Sequence, residues 1–151
     1  MNTPTILALD ASSTTLGWTL YAGAVVDHGE HKLAGADIAT RCQTAYDILV
    51  MLFDRFPEVD CVALESPVSR FAKAVIPQAR VSGALLLACA QRWKPVIEVS
   101  PTAAKFALAG VGNCGKETMQ ARASAYGVYG EHAADALGVC LAAMKRIEVV
   151  A

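Results

Sequence analysis

Apolar residues recur along the chain in two rhythms. The first is a nearly unbroken run from Thr5 to Ala11, which predicts a buried strand. Leu16 to Ala22 and Val25 to Lys32 follow at short spacing with Gly23 between them, so the three segments predict an antiparallel meander. The rhythm then changes. Within Ile38 to Phe56, residues Ala45, Ile48, Leu49, Leu52, Phe53 and Phe56 fall three and four apart, the spacing of an amphipathic helix, and Pro57 ends it. Val59 to Leu64 is strand-like, Ala74 to Trp93 helix-like and Pro95 to Val99 strand-like; Ser100 and Pro101 read as an N-cap and first helical residue. Two further helical patterns, Lys116 to Tyr126 and Glu131 to Ile147, are separated by Gly127 and Gly130. The first three strands can be joined by hairpins, whereas the later ones need helical crossovers. The expected fold is therefore α/β, a five-stranded mixed sheet with helices on both faces.

With 151 residues, 54% hydrophobic and 18% charged, the chain is expected to form one domain over residues 1–151 with a sizeable core. The longest apolar run, Ala84 to Ala90, lies between Arg80 and Arg92 and falls far short of the roughly 20 residues that span a bilayer. No basic segment precedes the first apolar stretch, and Asp10 interrupts it, so no secretory signal is read and a cytoplasmic location is expected. The five cysteines, Cys42, Cys61, Cys89, Cys114 and Cys140, are odd in number and scattered, which argues against a disulfide framework or zinc site and for small apolar fillers. The net charge of -1 hides a division along the chain. Residues 1–69 carry 3 basic and 9 acidic side chains, residues 70–122 carry 8 and 2, and the remainder carries 2 and 3, giving -6, +6 and -1.

Two carboxylates stand at the ends of apolar strands. Asp10 shares a strand face with Ile6 and Ala8, and Glu65 shares one with Cys61 and Ala63. An ionised carboxylate in either place costs several kcal/mol unless it is compensated. His132 and Asp135, three apart, share one face of the last helix. If that face covers the ends of the first and fourth strands, three carboxylates and an imidazole meet, and such an oxygen-rich set suits hard divalent cations. Two metals roughly 4 Å apart can activate a water and stabilise the leaving oxygen at a phosphodiester. The plainer alternative keeps Asp135 as a helix-face carboxylate and His132 as a helix N-terminal residue.

Other motifs carry less. Gly110 to Thr118 approaches a P-loop, but Glu117 stands where Ser or Thr must reach magnesium, which excludes a nucleotide cofactor at that loop. His28 and His31 have only Glu30 as a ligand-spaced companion and read as structural. Ser12 to Thr15 could cradle a phosphate and are equally ordinary turn residues.

Taken together, these residues resemble the RuvC family of Holliday junction resolvases, in the RNase H-like superfamily. Ile6 to Asp10, continuing through Gly17 and Trp18, looks like the opening hairpin with its metal-binding aspartate. Val62 to Glu65 looks like the second acidic motif, and Gln78, Ala79, Arg80 and Gly83 resemble a stretch on the helix that follows. Gly110 to Gly112 followed by Lys116 is similar to the segment that supplies a basic residue near the scissile phosphate. His132 to Leu137 resembles the closing motif, with His132 where many members carry aspartate. Ser12 replaces a usual glycine, which would alter the turn after Asp10, and Glu131 is an alternative ligand or a group supporting one.

The resemblance implies an RNase H-like three-layer α/β/α fold and metal-dependent hydrolysis of a four-way or branched DNA junction, leaving 3′-hydroxyl and 5′-phosphate ends. Asp10, Glu65, His132 and Asp135 would hold two Mg²⁺ or Mn²⁺ ions. His132 would favour manganese. Lys116, and Lys105 with it, would neutralise the cleaved phosphate. Arg70, Lys73, Arg80, Lys105, Lys116 and Arg122 would contact DNA phosphates, and Phe71 would wedge the junction or else pack at a helix start. A junction of two-fold symmetry needs paired cuts, which implies a homodimer. The helix after Glu65 would carry its interface, with Ala79, Gly83, Ala84 and Ala88 small enough for close approach, or else those residues would pack against the sheet. Two rivals remain within the superfamily or scaffold: a relative that processes ribosomal RNA, and a junction-binding protein with weakened catalysis. A sugar-kinase-like phosphate loop at Leu9 and Asp10 needs a second domain, for which 151 residues leave no room.

Overall fold

The computed structural model describes residues 3–68 and 70–150. Five strands form one sheet: β1 (Ile6–Ala11), β2 (Thr15–Tyr21), β3 (Val25–Lys32), β4 (Cys61–Glu65) and β5 (Val96–Val99), in the order β3-β2-β1-β4-β5. β1 to β3 are antiparallel neighbours, while β1, β4 and β5 run parallel. The parallel pairs are joined through α1 (Ile38–Arg55) and α2 (Ala72–Gln91), and α3 (Pro101–Ala109), α4 (Lys116–Ser124) and α5 (Glu131–Val150) complete the order.

The period of two along each strand separates two cores. Leu7, Leu9, Leu16, Trp18, Leu20, Val62 and Leu64 face α1 and α2. Ile6, Ala8, Cys61, Ala63 and Val99 face α3 and α5. The second face is lined by small residues, and α5 presents Ala133, Ala134, Ala136, Gly138, Ala142 and Ala143 among its buried positions. Helix and sheet approach closely there. A Cβ at Gly138 would stand 2.8 Å from the Ala104 carbonyl oxygen, so glycine is needed where α5 crosses α3.

Element ends differ from the sequence reading by local chemistry. α1 stops at Arg55, because Pro57 leaves Phe56 as the cap whose N–H still reaches the Leu52 carbonyl. α2 starts at Ala72 rather than Ala74 and tolerates Pro77 in its second turn. Ser100 caps α3 as expected, its Oγ accepting from the Ala103 N–H, and Gly110 ends that helix in the left-handed conformation. The segment resembling a P-loop therefore joins two helices and follows no strand. At Ser12 no left-handed backbone is required: its hydroxyl accepts from the N–H groups of Thr14 and Thr15 and closes the turn that glycine would otherwise make.

Ala88, expected on an outward interface, is buried in the core against α1. The outward stripe of α2 runs instead through Ile76, Ala79, Gly83, Leu86 and Leu87. Cys61, Cys89 and Cys140 are buried fillers, no disulfide forms among the described residues, and Cys114 both packs against a core cluster and borders a cleft. Among the described residues no helix is long and apolar enough to cross a membrane.

Candidate active site

Asp10 and Glu65 stand at the C-terminal ends of adjacent parallel strands, on the face covered by α5. His132 and Asp135 lie in the first turns of that helix, which crosses above both strand ends. His132 Nδ1 is 2.9 Å from Asp10 Oδ2, with the Asp10 side chain 10% exposed and the imidazole 26%. Asp135 and Glu65 border a cleft of about 330 Å³ that also meets Gln78, Lys105, Cys114 and Lys116. The fold thus pairs His132 with Asp10 and sets Glu65 and Asp135 along one cleft.

The electrostatics record how poorly these carboxylates tolerate each other. Burial, followed by repulsion from Asp10 and Asp135, pushes the Glu65 carboxyl up to about 8. Burial and the Asp10 charge push Asp135 up to about 6. The hydrogen bond to Asp10 raises His132. At neutral pH the chain alone relieves its acidic cluster by keeping the Glu65 proton, while the Asp10 carboxylate favours the charged form of His132. Added positive charge is what this donor set lacks, and carboxylate oxygens with an imidazole suit a divalent ion. Among the described residues, no three His, Cys, Asp or Glu side chains are gathered closely enough to hold one. His132 and Asp10 are paired with each other.

The basic residues divide by place. Lys105 and Lys116 border the cleft beside Glu65 and Asp135. Lys116 Nζ is also 2.5 Å from Glu131 Oε1, an ion pair that raises the lysine and lowers the glutamate. Glu131, read as an alternative ligand, is thereby engaged with Lys116. Arg70 and Lys73 are exposed around the start of α2, directly after β4, and Phe71 is the exposed N-cap residue between them, 73% accessible. Arg80 is exposed further along α2. Arg122 is exposed in the last turn of α4, where a cation also complements the helix dipole. Arg92 and Lys94, which swell the basic count of the middle segment, are spent elsewhere: Arg92 on Asp54 and Lys94 on the Val59 carbonyl.

Two contributors make contacts that the sequence does not foretell, although Gln78 belongs to the stretch singled out after Glu65. Gln78 Nε2 donates 2.9 Å to the carbonyl of Ala11, next to Asp10, and so ties the start of α2 to the end of β1. Glu30, at the sheet edge, accepts from the main-chain N–H groups of His132 and Ala133. Each joins residues 67 or more apart in sequence, and only the fold makes them neighbours.

Solved structures share this fold. RuvC of Thermus thermophilus in complex with Holliday junction substrate matches with a TM-score of 0.81 at 23% identity, covering 97% of this chain and 96% of that one. The structure of Thermus thermophilus RuvC alone matches with 0.78 at 22%, covering 96% of each. A fowlpox virus resolvase bound to substrate Holliday junction DNA matches with 0.57 at 10%, covering 95% of this chain and 98% of that one. At these identities the likeness establishes the fold. The family model for crossover junction endodeoxyribonuclease RuvC matches residues 20–143, most of the chain, and on that span the protein belongs to the RuvC family of junction endonucleases.

Proposed function

We propose that this chain, acting as one nuclease domain per subunit of a homodimer, resolves four-way DNA junctions by paired, metal-assisted phosphodiester hydrolysis. The observation that carries the reading is the meeting of Asp10, Glu65, His132 and Asp135 at adjacent strand ends beside a cleft bordered by two lysines. Nucleases of this family depend on divalent metal. The four side chains would hold two Mg²⁺ or Mn²⁺ ions, which supply charge stabilisation and an acidified water when bound. Glu65 must give up its proton for that role, and loss of the proton is favoured as positive charge enters.

The rest falls to the chain itself. Lys105 and Lys116 place cationic donors along the cleft where a scissile phosphate gains negative charge. Asp10 holds the His132 ring, which fixes the first turn of α5 and with it the direction of Asp135. Arg70, Lys73 and Arg80 line the approach along α2 with phosphate-pairing charge, and Phe71 offers an exposed ring to an opened base step. Arg122, on α4, would extend the phosphate contacts on the other side of the cleft.

Dimerisation is supported by the outward apolar stripe of α2, which Val96 and Ile97 of edge strand β5 continue alongside Leu86. Single exposed apolar residues need no explanation, whereas a stripe on one helix face does. Incubating the protein with synthetic four-way, flap and linear DNA, and with RNA hairpins, in Mg²⁺ and in Mn²⁺ tests the reading. Paired nicks at symmetric positions of the four-way junction are expected. Equal cutting of RNA hairpins, or linear DNA cut as fast as the junction, would overturn it.

A further inference from the structure

Three residues lie in one row across the sheet. Asp10 on β1 faces Gly17 on β2, and Gly17 faces Glu30 on β3. Directly opposed residues share a face, here the face under the N-terminus of α5. The middle of the row is empty by necessity. A Cβ at Gly17 would stand 2.4 Å from the His132 carbonyl carbon and oxygen, so only glycine lets the first turn of α5 descend onto β2.

The two carboxylates flank that gap and grip the same residue by different ends. Asp10 Oδ2 takes the imidazole Nδ1 at 2.9 Å. Glu30 Oε1 accepts the His132 main-chain N–H at 2.6 Å and the Ala133 N–H at 3.1 Å, satisfying two of the donors that a helix start leaves open. Gly130 yields to the same carboxylate, since a Cβ there would stand 2.6 Å from Glu30 Oε1. The next row on this face repeats the grip. Thr19 Oγ1 donates to the Ala133 carbonyl, and His28 Nε2 accepts from the Tyr129 N–H.

We propose that Gly17 and Glu30 are positioning residues of the nuclease site, forming a seat that fixes the His132 main chain so that its imidazole meets Asp10. Glu30 touches neither substrate nor reacting atoms. It acts through the backbone of a site residue, a placement that lets an exposed edge-strand carboxylate govern chemistry in the cleft. The role rests on the nuclease reading of His132, and the test separates the two.

Glu30→Ala removes the acceptor, Glu30→Met removes it while keeping the stem, and Glu30→Gln keeps a carbonyl oxygen in place. The His132 imidazole resonances of the metal-free protein and single-turnover cleavage of a four-way junction across a Mn²⁺ titration are measured for each. In Glu30→Ala and Glu30→Met, the imidazole signals are expected to move, cleavage to slow roughly tenfold and half-saturating Mn²⁺ to rise by a similar factor. Junction affinity without metal should stay within about twofold of the parent. Glu30→Gln should recover most of each loss. Parental imidazole signals and Mn²⁺ dependence in Glu30→Ala and Glu30→Met, or a Glu30→Gln as impaired as Glu30→Ala, would overturn the seat. A parent chain that cuts no junction would instead sink the nuclease reading, while the imidazole signals would still decide the seat.

Discussion

The two walls of the cleft are built in opposite ways. On one side, Tyr129, His132 and Ala133 are held by main-chain and side-chain hydrogen bonds from three strands, and Gly17 beneath them has no room for a Cβ. On the other, the segment after Glu65 brings Val68 to the cleft, and beyond the cleft lining Arg70, Phe71 and Lys73 are exposed. The first wall fixes the direction of carboxylates and imidazole, where a small misplacement costs rate. Under the proposed function, the second would offer charge and an aromatic ring to a large polyanion. On that reading, one wall positions the reacting groups and the other serves binding.

The sharpest way to break this contrast is at the charges. Asp10→Asn or Asp135→Asn removes a negative charge at constant size and is expected to slow junction cleavage by roughly a thousandfold or more, equivalent to about 4 kcal/mol of barrier. Binding of the uncut junction should persist in a gel-shift assay. Loss of binding together with cleavage would mean that the two walls are not functionally separate.

Gly17→Ala tests the rigidity of the first wall. Its Cβ would collide with the His132 main chain, and overpacking of this kind costs about 1–3 kcal/mol, readable as a lower urea midpoint. Gly83, on the outward face of α2, has open space where a methyl group would project, with nothing within 4 Å. Gly83→Ala should leave the stability of an isolated subunit equal or higher by about 0.5–1 kcal/mol.

The acidic cluster gives a pH signature. Glu65 and Asp135 titrate near 8 and 6 in the folded chain, against 4.5 and 3.8 as ordinary carboxyls. Between about pH 4 and 8 the folded chain therefore holds protons that the unfolded chain has released. Stability from this source is full below the ordinary values and is lost as pH rises through the folded ones. Metal-free protein should melt at progressively lower temperature from pH 5 to pH 8, and Mg²⁺ or Mn²⁺ should restore more stability at pH 8 than at pH 5. Glu65→Gln should flatten the metal-free slope; an unchanged slope would place its origin outside the cluster.

The smallest effects belong to the second wall. Arg70→Ala and Phe71→Ala are expected to change folding stability by less than about 0.5 kcal/mol. Arg70→Ala should weaken junction binding and lower its salt dependence by about one phosphate contact, whereas Phe71→Ala should weaken binding with the salt slope unchanged.

Much of this was legible in sequence because apolar periodicity reports which side of an element meets the core. The three-strand meander, the crossover helices and the Ser100 cap follow from it, and so do Asp10 and Glu65, since a carboxylate ending a buried strand needs compensation. His132 and Asp135 could be placed on one helix face by their spacing alone. Ala88 shows where this reading stops: its size suits an outward interface or an inward core equally, and only the rotation of α2 against α1 chose the core. The pairing of Lys116 with Glu131 was open for a similar reason, because both are surface residues whose partners depend on how α4 meets α5.

The amino-acid order by itself determined the elements, the sheet's mixed direction and which charged groups would be costly unless they met. Tertiary structure alone decided that Gly17 lies under His132, that Glu30 caps a helix 102 residues away and that Gln78 holds the end of β1. Local preference fixes a residue's conformation and face, but which distant group fills a gap or satisfies an open N–H depends on strand register and helix docking, which are properties of the whole packed chain.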